Sequence, residues 1–256
     1  AGGKFNNANS YKVATGGVNG VGAACVNAVS SELDLIIYNN SNKYKAHFEK
    51  GKIIEPMQIV EENIENKTGT EVHFKLDDEI WKDEDFNLKK IKKRIQQLSY
   101  LNPGLLFYLV LDTTDKEGNV YKSQEQFYHP EGLTAYVDKI TANKKKLINN
   151  VSYAEIVDDI SIAFSFSYTD YYSQDIYSFC NNIHTESGGD HLSGFKNGIY
   201  SAIQKYALET KVIKDKKEIK RLQSIGKEIK KGSMGMILRT ASKKVNKEKI
   251  LKDYNI

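Results

Sequence analysis

The run Thr15-Gly16-Gly17-Val18-Asn19-Gly20-Val21-Gly22-Ala23 constrains this chain more than any other stretch. A GxxGxG core, Gly17 to Gly22, leads straight into the small apolar residues Ala23-Ala24-Cys25-Val26. Glycine admits positive φ and lets a backbone come close to a ligand. The residues that follow predict a buried helix from about Asn19 to Ser30, whose first N–H groups have no partner within the helix. Loop and helix start together describe a cradle for phosphates. Three glycines in a loop also describe an ordinary turn, so the rest of the chain has to decide.

At 256 residues the chain suits one large domain or two small ones. Its 40% hydrophobic and 27% charged content is that of an ordinary globular protein. A net charge of +4 permits a nucleic-acid partner without requiring one. Cys25 and Cys180 lie in the apolar stretches AACVNAV and IYSFCNNI and read as buried, reduced thiols, which points to the cytoplasm. No apolar run has the length of a membrane span, and no membrane partner is expected. The opening Ala1-Gly2-Gly3-Lys4-Phe5, without methionine, reads as an internal stretch of a longer protein.

Patterning predicts a mixed α/β fold throughout. Strands are expected at 33–38, 44–49 and 70–76, with a buried strand LLFYLVL at 105–111 that turns back through LDTTDKEGNVYK. Helical spacing over Leu88 to Leu98 gives an apolar stripe with a basic outer face. A second helix is expected at about 132–141, then a connector at Asn143-Lys144-Lys145-Lys146. This divides the chain into 1–140 and 141–256. Beyond the connector come strands at 159–168 and 175–183, a helix from Gly194 to Tyr206, a Lys- and Glu-rich helix at 214–231 and a strand MGMILRT at 234–240. His184, Asp190 and His191 read as a turn with structural hydrogen bonds rather than a metal site, because no second ligand cluster exists. Tyr168, Tyr171, Tyr172 and Tyr177 read as packing residues, and Glu155, Asp158 and Asp159 as loop acids.

Two distant segments, AGGKFNNANSYKVATGGVNGVGAACVNAVS at 1–30 and FCNNIHTESGGDHLSGF at 179–195, together resemble the ATPase region of the gyrase B and topoisomerase IV group, the ATP-binding side of the bacterial type IIA DNA topoisomerases. Weaker matches lie between them in order: Thr68-Gly69-Thr70, RIQQLSYLNPG at 94–104 and YHPEGLTAYVDKI at 128–140. The resemblance covers residues 1–210 and frays afterwards. It implies a partial α/β (α+β) ATPase domain of the type shared by gyrase, the heat-shock chaperone ATPases, histidine kinases and MutL. A partial transducer domain, of the kind also found in a ribosomal protein, would follow. By the same resemblance 1–16 is a lid over ATP, in which Lys4 reaches the phosphates and Tyr11 approaches the adenine. Gly17, Val18, Asn19, Gly20, Val21, Gly22 and Ala23 would wrap the triphosphate, and Thr70 would sit near the adenine. Asn19 stands where the bacterial proteins usually carry His, and Asp190 where Thr is usual.

The implied parent is an ATP-hydrolysing topoisomerase. It acts with Mg²⁺ on double-stranded DNA together with a gyrase A-type partner, and it dimerises with a second copy when nucleotide binds. The family's water-polarising glutamate, magnesium-binding asparagine and adenine-reading aspartate would all precede Ala1. No Gln-Thr-Lys tripeptide occurs in the chain. No catalytic residue is therefore assigned in this span, and by itself it is expected not to turn over ATP. The rival expectation is a truncated or degenerate homologue serving as a non-hydrolysing binding or scaffold module.

Overall fold

A computed structural model describes residues 21–62, 64–65, 67–82, 86–114, 117–158, 160–171, 174–210 and 234–242. They form two compact units, one ending at Asn87 and one starting at Leu88. The predicted lid at 1–16, Gly17 to Gly20, the Lys-rich stretch 214–231, Asp159 and Tyr172 lie outside the described residues.

In the first unit a short helix α1, Gly22–Ala28, precedes strands β1 (Ser30–Asn39), β2 (Asn42–Glu49), β3 (Lys52–Glu61) and β4 (Gly69–Leu76). The antiparallel sheet has the order β3-β2-β1-β4. Its two hairpins turn through Asn40-Ser41 and Lys50-Gly51, where both central residues have positive φ, as right-twisted strands require of a two-residue turn. Gly51 is needed twice over, because a Cβ there would also come within 3.3 Å of the Ala28 backbone at the end of α1. Helix α2, Asp78–Trp81, follows β4. It is capped by Asp77, whose carboxylate accepts from the Glu79 N–H at 3.0 Å. The Val29 carbonyl at the end of α1 accepts from the Asp77 N–H at 3.3 Å and from the Trp81 indole at 3.1 Å, tying α1 to this corner.

Three expectations about this unit are corrected. The helix is shorter than predicted, because Ser30 already belongs to β1, and it contains no buried residue. Cys25 is accordingly exposed and not a core thiol. Strand β3 was not expected: it carries Pro56 and is exposed along its whole length, so it shows no alternation. Proline is tolerated there because β3 is an edge strand.

The second unit opens with helix α3, Leu88–Leu101, and a two-stranded ribbon of β5 (Phe107–Thr114) and β6 (Val120–Phe127). LLFYLVL is β-structured but not buried: Leu105, Leu106, Tyr108 and Val110 are all exposed, since a ribbon of two strands has no third layer to cover it. After helix α4, Leu133–Ile140, comes a five-stranded sheet of β7 (Val151–Val157), β8 (Ile160–Tyr168), β9 (Asp175–Cys180), β10 (Ile183–His184) and β11 (Met234–Ser242). Its order is β10-β9-β11-β8-β7. The last strand among the described residues is thus the central one, antiparallel to β8 and parallel to β9, with helix α5 (Asp190–Glu209) in the crossover. Strand β7 was not expected either, and it takes Glu155 out of the predicted loop. Cys180, the last residue of β9, is exposed, whereas Phe179 before it is fully buried. Tyr171 is 60% exposed and packs no core. The connector lysines are held by acids: Lys144 pairs with Asp175, and Lys146 with Asp138.

The core of this unit is aromatic. Tyr100 of α3 stacks on Tyr136 of α4 at 4.8 Å, and Tyr136 stacks on Tyr177 of β9 at 5.8 Å. The His129 ring closes the other end, 3.8 Å from Tyr100, and Leu101, Val137 and Phe179 fill the space around them with no exposure at all. On the opposite flank Phe195 of α5 packs against Phe164 and Phe166 of β8. Phe179→Ala should destabilise the chain by about 3–5 kcal/mol, read as a lower urea midpoint. A midpoint unchanged from wild type would mean that this cluster is not the unit's core.

Candidate functional site

The predicted cradle enters the described residues at Val21. Val21 is the N-cap of α1, 52% exposed, and no side chain caps the helix. Gly22 and Ala23 form the first turn, which carries no acidic residue to occupy its N–H groups. A Cβ added at Gly22 would meet nothing within 4 Å. These features suit an anion, because an uncapped first turn presents donors and a partial positive charge.

Thr70 lies on β4 and is exposed. Strand register shows what surrounds it. One face of the sheet is built from the cross-strand rows Phe48-Leu33-Phe74, Ala46-Leu35-Val72 and Tyr44-Ile37-Thr70. Two rows are wholly apolar. The third ends on a threonine. Beside it Val72 and Phe74 are 51% and 42% exposed, so the β4 side of the apolar face is open. A flat heteroaromatic ring fits such a floor, with one hydroxyl for orientation. Val72 and Phe74 were not singled out from sequence, although the alternation in TEVHFKL places them on the side of Thr70.

The other face is charged. Glu55, His47, Asp34 and His73 follow one another across all four strands. His47 Nδ1 lies 2.8 Å from Asp34 Oδ1 and its Nε2 lies 3.5 Å from Glu49, while Lys45 approaches Asp34 to 3.3 Å. The Asp34 bond raises the His47 pKa, and the same bond lowers that of Asp34. A shallow cavity of about 200 Å³ is lined by Glu32, Asp34, His73 and Lys75 of this face, together with Leu33 and Phe74, which lie between them in sequence.

At the start of α5, Asp190 is the acid of the first helical turn and His191 is helical too, so the helix begins four residues before the expected Gly194. The charge at 190, without evident purpose in sequence, complements the helix dipole. His191 Nε2 lies 3.3 Å from Thr185 Oγ1, and Thr185 Oγ1 lies 2.6 Å from Ser178 Oγ. Burial holds the His191 pKa below its ordinary value. Among the described residues no three His, Cys, Asp or Glu side chains converge on a metal position.

The fold matches solved ATPase regions. It aligns with the 43K ATPase domain of Thermus thermophilus gyrase B, solved in complex with an aminocoumarin, at a TM-score of 0.70 and 25% identity, over 88% of this chain and 58% of that one. The topoisomerase IV ATP-binding domain of Francisella tularensis, solved with a small-molecule inhibitor, gives a TM-score of 0.66 at 22% identity, over 89% and 59% of the two chains, a likeness of fold. The class is therefore the mixed α/β fold of the gyrase-type ATPases. Residues 132–237 match the DNA gyrase B family. The DNA gyrase B protein of Streptococcus pneumoniae is 35% identical over 240 residues, 93% of this chain and 35% of that protein. Its counterpart in Mycoplasmoides gallisepticum is 34% identical over 227 residues, 84% of this chain and 34% of that one. The chain is a homologue of DNA gyrase B, and it spans about a third of the length of these relatives. No described helix is long and apolar enough to cross a membrane.

The His47–Asp34 pair makes stability depend on pH in a direction that can be checked. A raised folded-state pKa on His47 contributes stability that is full below its ordinary value near 6.5 and is lost as pH rises through the raised value. Asp34 contributes in the opposite sense: its share is present above its unfolded value and is lost as pH falls through its depressed one. In an NMR titration, Asp34→Asn should return the His47 pKa toward its ordinary value. An unmoved titration curve would mean that Asp34 is not the cause.

Proposed function

We propose that this chain supplies part of the ATP-binding component of a type IIA DNA topoisomerase. Its identity of 35% over 240 residues with a DNA gyrase B protein carries the reading. The uncapped first turn of α1 and the open apolar floor beside Thr70 support it. In this reading Lys4 supplies a point charge that follows the phosphates. The backbone N–H groups from Gly17 through Val18, Asn19, Gly20, Val21 and Gly22 to Ala23 donate to them. Tyr11 approaches the adenine from the lid, and the Thr70 hydroxyl orients it over Val72 and Phe74. When bound, ATP with Mg²⁺ supplies the γ-phosphate whose contacts favour one of two states. The magnesium ligand falls outside the residues assigned here.

Closure over nucleotide would bring two copies together. The sheet of the second unit would pass that state to a gyrase A-type partner holding double-stranded DNA in the cytoplasm. Compact packing divides the chain at Asn87 and Leu88, whereas we place the functional division near residue 140. The family match beginning at 132 and the connector after Ile140 support that placement.

Calorimetry with a non-hydrolysable ATP analogue tests the reading. Lys4→Gln and Gly22→Val should each weaken binding at least tenfold, about 1.4 kcal/mol. The added side chain at Gly22 begins in open space, so lost binding there reports on the ligand and not on folding. The chain alone should hydrolyse no ATP above background, since none of its acids is assigned as the general base. Absence of analogue binding to the wild-type chain would leave the scaffold reading in its place.

A further inference from the structure

Helix α3 carries more charge than its packing explains. Its sequence LKKIKKRIQQLSYL holds five cations, Lys89, Lys90, Lys92, Lys93 and Arg94, and no acid. All five are exposed. At 3.6 residues per turn they cover an arc of roughly 200° opposite the stripe of Leu88, Ile91, Ile95 and Leu98. A solvated helix face usually mixes signs, with acids three or four residues from bases. This one does not. Cations in the first turns also run against the helix dipole, so helix stability does not account for them.

Neighbouring elements bring one further cation, Lys139, and one acid, Glu125, to this helix. Lys139 of α4 donates to Gln96 of α3 and holds its ammonium 5.7 Å from the Tyr100 ring centre. Partial burial and the charges of Lys92 and Lys93 together lower its pKa. Lys92 pairs with an acid, Glu125, at 2.6 Å. Arg94 is turned to local acceptors, Gln97 and the Asn182 carbonyl. Lys89 and Lys93, one helical turn apart, have no such partner among the described residues.

The structure assigns this face of α3 as a contact surface for the phosphate backbone of duplex DNA. Charge complementarity selects that occupant. Side chains one turn apart on a helix stand about 5–6 Å from each other, a row that can follow a chain of phosphates. A protein partner would need buried aromatic or aliphatic anchors, and the cationic arc contains none. Backbone contact needs charges alone and reads no sequence. The inference rests on the proposed function only in taking duplex DNA as the probe.

The test is fluorescence anisotropy of the 256-residue chain with a duplex of about 20 base pairs, titrated at several salt concentrations. Binding should weaken linearly in log salt, by about 0.9 per phosphate contacted. Lys89→Gln with Lys93→Gln should shallow that slope by roughly 1–2 and weaken binding about tenfold near 0.1 M salt. The same charge change made at the exposed Lys52 and Lys75, on the sheet of the first unit, should leave both unchanged. Three results would overturn the assignment: no duplex binding, equal losses in the two double variants, or equal competition by a polyglutamate peptide of matched charge. Analogue binding measured on the same variants separates the two readings. Its retention alongside lost duplex binding supports the α3 surface and leaves the nucleotide reading intact. Failure of the α3 surface alone does the nucleotide reading no harm.

Discussion

The ring stack through Tyr177, Tyr136 and Tyr100 to His129 is the contact on which the second unit depends. It joins a strand, two helices and the segment after β6, four pieces of chain that share no backbone hydrogen-bond ladder. Each large ring buries far more area than an aliphatic residue could, and offset rings add a directional component that fixes the angle of approach. Polar contacts then lock the arrangement. Asn182, in the turn after β9, donates to Asn102 beyond α3 at 2.9 Å, and Ser99 stands 2.8 Å from His129 Nδ1. Burial against the stack holds the His129 imidazole below its ordinary pKa. Gly132, at φ +56, lets the segment enter α4 in a backbone conformation that would strain any other residue, while a Cβ there would make only ordinary contact, at 3.4 Å, with Pro103.

Much of this was legible in the sequence, for reasons that differ by element. β1, β2 and β4 alternate because one face of their sheet is apolar and the other charged, and α3 shows its stripe because only one side packs. β3 and β7 were invisible because they are exposed on both faces, which erases period two. The two cysteines expected inside lie outside, because apolar neighbours in sequence do not by themselves bury a residue: Cys25 sits in a helix with no buried residue, and Cys180 stands at the exposed end of β9. LLFYLVL shows the converse: β-propensity identified the strand, while its exposure followed from how many strands stand beside it.

The candidate site divides along a similar line. Glycines at fixed spacing are a signal written in the chain itself, and so is the threonine that opens β4. The apolar surface beside Thr70 is a property of three strands in register and exists only after pairing. Asp190 is a further case. Its charge had no meaning in a turn and acquires one when the helix is seen to start there.

The place of β11 has a consequence for how the chain is made. A ribosome delivers the chain from its amino end, and the strand that fills the middle of the five-stranded sheet is the last of the described elements to emerge. Until then β7 and β8 can form only a hairpin with an unsatisfied edge, and β9 has no neighbour but the two-residue β10. An open edge of alternating Ile162, Phe164 and Phe166 is adhesive toward any extended segment nearby. Synthesis of this unit therefore includes an interval of exposure that grows with every residue between α5 and β11. Its safe completion becomes a race between arrival of the native strand and capture by a foreign one.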